Sequence, residues 1–205
     1  MNTIKTITLS LLSLVSISLH AQSFKEPVAY KLKNGMTIII SENDHSPKAY
    51  ASFTLDKKAF AGSKDGIVEM LNAVLNESIT SDNLSFKDRS GKLAASADIF
   101  DKELSIMASL LQNANINEKT FNTGKAKLLM SLKLHDYDYD QSVNETSIAN
   151  LTFSDVLNFY NEISPEKTFL TIAGDVNTVS AKASVKKAFG LWNTNKVYRN
   201  EVASK

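Results

Sequence analysis

Cysteine is absent from all 205 residues. The chain therefore forms no disulfides, performs no thiol chemistry and offers no thiolate to a metal. It also lacks the cysteine that bacterial lipidation modifies. Charge of one sign is not in excess, with 23 basic and 22 acidic side chains. That balance speaks against nucleic acid as a partner, which calls for a basic stripe, and leaves no strong field to steer a charged ligand. Histidine is scarce: of three, His20 lies in an N-terminal apolar stretch, leaving His45 and His135. Beyond residue 21 no apolar run approaches the roughly 20 residues of a membrane span.

What is present begins with a secretory signal over residues 1–21. Lys5 supplies the positive start, Ile7 to Leu19 an apolar, Leu/Ser-rich centre, and Ala21 a small residue before Gln22. The stretch is too short for a stop-transfer helix. Removing it takes away Lys5 alone among the charged residues, so the remainder is formally neutral. The protein is expected to be exported, periplasmic or extracellular, and soluble. A single domain over residues 22–195 fits the length, followed by a polar tail over 196–205. Four Asn-x-Ser/Thr sequons, at Asn76, Asn83, Asn144 and Asn150, would be glycan acceptors in a eukaryotic secreted chain. The signal and composition here are of bacterial type, where they carry no meaning.

The pattern along the chain is α+β. Val28 to Leu32 and Met36 to Ser41 flank Asn34-Gly35, the signature of a hairpin with a type I′ turn. Ala49 to Leu55 alternates and reads as a third strand. From Lys64 to Ser78, Ile67, Met70, Leu71, Val74 and Leu75 recur at helical spacing. Glu69, Asn72, Ala73 and Asn76 take the opposite face. Thr80 to Gly91 is polar and turn-rich, and Lys92 to Ala97 a possible short strand. Helices follow over 101–112 and 117–134. Residues 136–150 are polar and irregular. A helix over 152–163, a strand over 168–173, a turn at Gly174-Asp175 and a helix over 178–192 complete the chain. Strands clustered early with helices between indicate a mostly antiparallel sheet with helices packed on one face.

Three stretches carry a family resemblance. The first runs from Tyr30 through Asn34-Gly35 and Met36-Thr-Ile-Ile-Ile40 to Asn43. The second is Ala61-Gly62-Ser63 through Gly66-Ile67 and the helix beyond. The third comprises Phe153-Ser-Asp-Val-Leu-Asn-Phe-Tyr160, Phe169-Leu-Thr-Ile-Ala-Gly-Asp-Val176 and Ala188-Phe-Gly-Leu-Trp192. Together they resemble one half of an insulinase/pitrilysin-type zinc peptidase, the family that includes the mitochondrial processing peptidase. In active members the helix carries His-x-x-Glu-His, in which the histidines hold zinc and the glutamate activates water. The resemblance places Glu69 at the first histidine, Asn72 at the glutamate and Ala73 at the second histidine. The third ligand, a glutamate on a later helix, falls near Leu132. Ala73 has no ligating atom, Asn72 takes no proton at neutral pH, and Leu132 is apolar. A catalytic zinc needs about three protein ligands, so no catalytic residue, metal ligand or cofactor is expected. The segments Thr80–Ala97 and Asp136–Thr152 are also shorter than the family's, in which the first ends in an edge strand that pairs with extended substrate, so such pairing is not expected here.

The resemblance thus implies a non-catalytic homologue, partnering an active insulinase-type peptidase chain or binding peptide. The alternatives are a stand-alone binding or structural module of the envelope and, less favoured, a residual hydrolase. Other motifs read as structure. His135-Asp-Tyr-Asp-Tyr-Asp140 lacks the glycine and glutamate of a calcium loop, with Gln141 and Ser147 in their places. His45 has no strained Gly-x-Ser-x-Gly turn to serve. Gly174-Asp175-Val176 is a strand-to-helix turn, while Phe189 and Trp192 are core or lid residues. Glu118, Lys119, Lys125, Lys127 and Lys133 form a solvated helix face.

Overall fold

The computed structural model describes residues 25–134 and 142–193. The signal segment, the acidic stretch from His135 to Gln141 and the tail over 196–205 lie outside the described residues. Among the described residues six strands and six helices follow one another: β1 Val28–Lys31, β2 Thr37–Glu42, β3 Ala49–Leu55, α1 Ile67–Asn76, β4 Leu84–Lys87, β5 Ser90–Ala95, α2 Phe100–Asn113, α3 Glu118–Leu134, α4 Glu145–Ala149, α5 Phe153–Glu162, β6 Thr168–Gly174 and α6 Thr178–Phe189. A short 3₁₀ turn, Pro165–Lys167, precedes β6.

The strands form one sheet in the order β1-β2-β6-β3-β5-β4. Only β2 and β6 run parallel, and every other pair is antiparallel. Strand alternation explains which face is covered. Ile38, Ile40, Ala49, Ala51, Phe53, Leu55, Leu84, Phe86, Leu93, Leu170 and Ile172 are all buried. Their neighbours Tyr50, Ser52, Thr54, Lys92 and Thr171 occupy the other side at partial or full exposure. A two-residue side-chain period puts these sets on opposite faces. Helices cover the apolar one, with α1 against β4, α2 against β5 and α6 against β2. The fold is α+β with helices on one face, as the sequence pattern indicates. No helix among the described residues is long and apolar enough to cross a membrane.

One turn and one strand differ from expectation. The β1–β2 turn is not type I′, because Asn34 does not have a positive φ; Asp88 alone does among the described non-glycine residues, and Gly35 has φ 90°. The Gly35 amide bonds the Leu32 carbonyl at 3.0 Å and the Leu32 amide bonds the Met36 carbonyl at 2.9 Å. That is a turn closed by a left-handed glycine, which permits a bulge. Asn34 is used differently: its Nδ2 donates to the carbonyls of Phe189 at 2.8 Å and Trp192 at 3.0 Å, tying the hairpin to the end of α6. That helix stops at Phe189. Trp192 lies in the turn beyond it, is 3% exposed and stacks near Phe53 and Phe189, so it is a core residue.

The second difference is a missed strand. Leu84–Lys87 lies within the stretch read as turns, and it forms the sheet's edge. A two-residue turn at Asp88-Arg89 joins it to β5, with Lys87 opposite Ser90. Asp88 adopts φ 55°, a conformation aspartate tolerates better than most residues. The polar region after α3 also holds more order than expected. Asn144 and Ser147 cap α4 reciprocally, and Thr152 and Asp155 do the same for α5. Lys64 and the Thr152 backbone and hydroxyl hold Asp155 at about 2. Lys125 is more than a solvated charge, since its Nζ donates to the carbonyls of Ala149 and Leu151, both at 2.7 Å.

Gly174 ends β6 where no side chain fits. Its φ is 101°, and a Cβ there would stand 2.2 Å from the Lys48 carbonyl oxygen. Asp175 N–H bonds that same carbonyl at 3.0 Å, so the turn cannot open without breaking its contact to Lys48, the residue before β3. Gly174→Ala is expected to lower unfolding free energy by about 2–4 kcal/mol, combining left-handed strain with overpacking; chemical denaturation measures it. Tyr160 gives a second test. Its hydroxyl accepts from Ala114 N at 2.8 Å and donates to the Leu110 carbonyl at 3.1 Å, and burial pushes its pKa up to about 12. An unfolded tyrosine ionises near 10, so between pH 10 and 12 the unfolded chain releases a proton the folded one keeps, and stability falls as pH rises. Tyr160→Phe should cost about 1–3 kcal/mol at neutral pH, through the orphaned amide, and should flatten that alkaline decline.

Candidate functional site

Helix α1 brings the resemblance-derived positions together. Six of its ten residues, Ile67, Val68, Met70, Leu71, Val74 and Leu75, are buried. A helix this short is marginal alone, so its apolar face must hold it in place. Its start is fixed by Gly66 at φ 77°, where a Cβ would fall 2.4 Å from Ile148 Cδ1 of α4. Glu69 lies in the first turn, where a carboxylate complements the helix dipole. Across the helix, α3 approaches closely because Gly124 faces Ala73. A Cβ at 124 would stand 3.0 Å from the Ala73 carbonyl carbon and 3.1 Å from Val74 N.

Between α1, β4 and α3 lies a cavity of about 340 Å³. Glu69, Asn72, Ala73, Asn76 and Glu77 line it from the α1 side, Ser85, Phe86, Lys87 and Asp88 from the edge strand and its turn, and Lys127, Leu128 and Ser131 from α3. Three of the four expected positions, Glu69, Asn72 and Ala73, therefore border one cavity. Leu132 does not line it. Helical phase turns Leu128 and Ser131 of the same helix inward instead. Ser131 Oγ is buried without a hydrogen-bond partner.

The side chains around the cavity are largely committed. Asn72 Nδ2 donates to the Asp88 carbonyl oxygen. Asn76 makes two bonds to a single residue: its Nδ2 donates to the Phe86 carbonyl and its Oδ1 accepts from Phe86 N, both at 2.8 Å. Lys127 and Glu77 form an ion pair at 2.7 Å that bridges α3 and the end of α1. Lys127 thus belongs to the cavity rim and not merely to a solvated face. Sequence reading missed Asn76, Glu77, Lys127 and Ser131 as site residues. The first is signalled only by its i, i+4 relation to Asn72, which places both on one helix face.

The donor set does not fit a catalytic zinc. Such a site needs about three Asp, Glu, His or Cys ligands arranged tetrahedrally. Here Ala73 presents a methyl group, the Asn72 amide is bonded to backbone, and Glu77 is paired with Lys127. Among the described residues no group of three or more His, Cys, Asp or Glu could hold a metal ion. His45 sits apart, exposed in the β2–β3 loop, with Nε2 3.7 Å from Asp44.

Comparison of the sequence with family models and with curated proteins returns no match. Solved structures do match. A protease from Helicobacter pylori aligns over 83% of this chain and 51% of its own, at 17% identity and a TM-score of 0.68. A putative M16-like peptidase from Alicyclobacillus acidocaldarius aligns over 82% and 50%, at 14% identity and a TM-score of 0.66. A structure described as a peptidase M16 inactive domain from Pseudomonas fluorescens aligns over 80% and 50%, at 14% identity and a TM-score of 0.64. The chain spans about half the length of each. Its fold is that of one half of an M16-like, insulinase-type peptidase.

Proposed function

We propose that this chain is a non-catalytic homologue of insulinase-type zinc metallopeptidases, exported from the cell, that acts beside an active peptidase chain or binds peptide. The observation that carries this reading is the lining of the α1 cavity. The resemblance puts water activation at Asn72, whose amide instead bonds the Asp88 carbonyl, and a zinc ligand at Ala73, which has no donor atom. A hydrolase of this kind depends on a metal-bound water and a base able to take its proton. Asn72 has no such basicity.

The alignment with half of a longer peptidase is in keeping with the partnering half of the proposal. The chain aligns with about half of the Helicobacter pylori protease. A half that lacks ligands gains most from a companion that has them. That one of the similar structures is described as an inactive M16 domain is in keeping with a scaffold that persists without its chemistry.

Cleavage and company test the proposal together. The purified chain, supplied with Zn²⁺ and a pool of unstructured peptides, should give no chelator-sensitive cleavage. Affinity purification of the tagged chain from its own cells should bring down a peptidase subunit carrying an intact His-x-x-Glu-His helix. Chelator-sensitive turnover by the chain alone would overturn the non-catalytic assignment. A solitary monomer, with neither companion nor bound peptide, would transfer it to a stand-alone envelope module.

A further inference from the structure

Strand β4 is the last strand of the sheet, and an edge strand offers unpaired N–H and C=O groups to any extended chain that approaches. The groups that face outward follow from the register. Lys87 and Ser90 flank a two-residue turn and pair directly, so the next pair, Phe86 with Gly91, directs its polar groups away from the partner strand. Phe86 N and O are thus the peptide groups that an added strand would engage. Both are already bonded to the Asn76 amide. Two residues further on, the Asp88 carbonyl is bonded to Asn72. Two residues before, the Leu84 amide is bonded back to the Ser81 carbonyl at 3.4 Å.

The geometry has a simple basis. Residues four apart on a helix lie about 6 Å apart along the axis, and residues two apart on a strand lie about 6.6 Å apart. Asn72 and Asn76 therefore match Asp88 and Phe86 in spacing, in the antiparallel sense. A primary amide carries one acceptor and one donor group, as a peptide unit does, so Asn76 can satisfy both groups of Phe86 at once.

We propose that Asn72 and Asn76 act as an internal strand mimic, closing the β4 edge of the sheet to extended polypeptide. The residue pair determines what the chain can bind: a peptide or partner segment must be accepted on another surface. This stands on the hydrogen-bond geometry and does not depend on whether the chain is catalytic.

Amide exchange and peptide titration, read by nuclear magnetic resonance on the ¹⁵N-labelled protein, test it. In the unaltered protein the Phe86 amide should be protected, and acetyl-(Thr-Val)₃-amide should leave the amide signals of Leu84 to Asp88 unmoved. In Asn76→Asp the carboxylate still accepts from Phe86 N but cannot donate to its carbonyl. In Asn76→Ala both bonds are lost, Phe86 exchange should rise about tenfold or more, and the peptide should shift the signals of Leu84 to Asp88. Retained protection of Ile172 and Ala51, in the centre of the sheet, identifies a variant that is still folded. An unprotected Phe86 amide in the unaltered protein would overturn the proposal, and so would peptide-induced shifts along β4 with Asn76 intact. Both of those results come from the natural sequence and stand even if the variants fail to fold.

Discussion

Helix α1 has little surface left for solvent. Its six apolar side chains enter the core, each contributing about 1.5–3 kcal/mol when fully buried. Its remaining face meets two neighbours. Asn72 and Asn76 bond the backbone of the edge strand, and Ala73 lies against Gly124 of α3. Sheet, edge strand and α3 are all positioned through these ten residues. The contact at Gly124 holds only while that residue lacks a side chain, because helix backbone stands on both sides and neither can yield alone.

The site follows from that constraint. A zinc peptidase of this fold needs the outward face of the same helix for chemistry. In this chain that face is spent on architecture. At the position the resemblance gives to the proton acceptor stands an amide that binds a carbonyl, and at one it gives to a ligand stands a methyl group where two helices meet. The Glu77–Lys127 pair closes the rim at 2.7 Å, although an ion pair this exposed adds little stability. Asn72 and Ala73 are consistent with one another, since one bonds and the other packs within the fold.

Much of this was legible in the residues. The 2- and 3.6-residue periods located β3, α1, α2, α3, α5 and β6 to within a few positions, because each has a continuous apolar face. Strand β4 was hidden. It has only Leu84 and Phe86 to bury, in a polar stretch, and its outer hydrogen bonds go to side chains from another element. The turn at Asn34 misled for a related reason: Asn-Gly is a strong local signal, but the amide of Asn34 has a tertiary use at the end of α6 that no local pattern reveals. Likewise Lys125 and Lys127 read as solvated charge, since their partners Ala149, Leu151 and Glu77 lie far away in sequence. The third ligand position, placed near Leu132, is next to Ser131, which borders the cavity together with Lys127 and Leu128 of α3. A displacement of one residue on a helix turns a side chain by about 100°.

The most direct test of the account is a calorimetric titration of Zn²⁺ into the unaltered protein and into Glu69→Ala. Glu69 is the one resemblance-derived position that retains a carboxylate, so a zinc held at those positions would use it. If the face of α1 serves structure alone, the two titrations should coincide, with no one-to-one site of micromolar or tighter affinity. A tight stoichiometric site in the unaltered protein that disappears in Glu69→Ala would contradict the account.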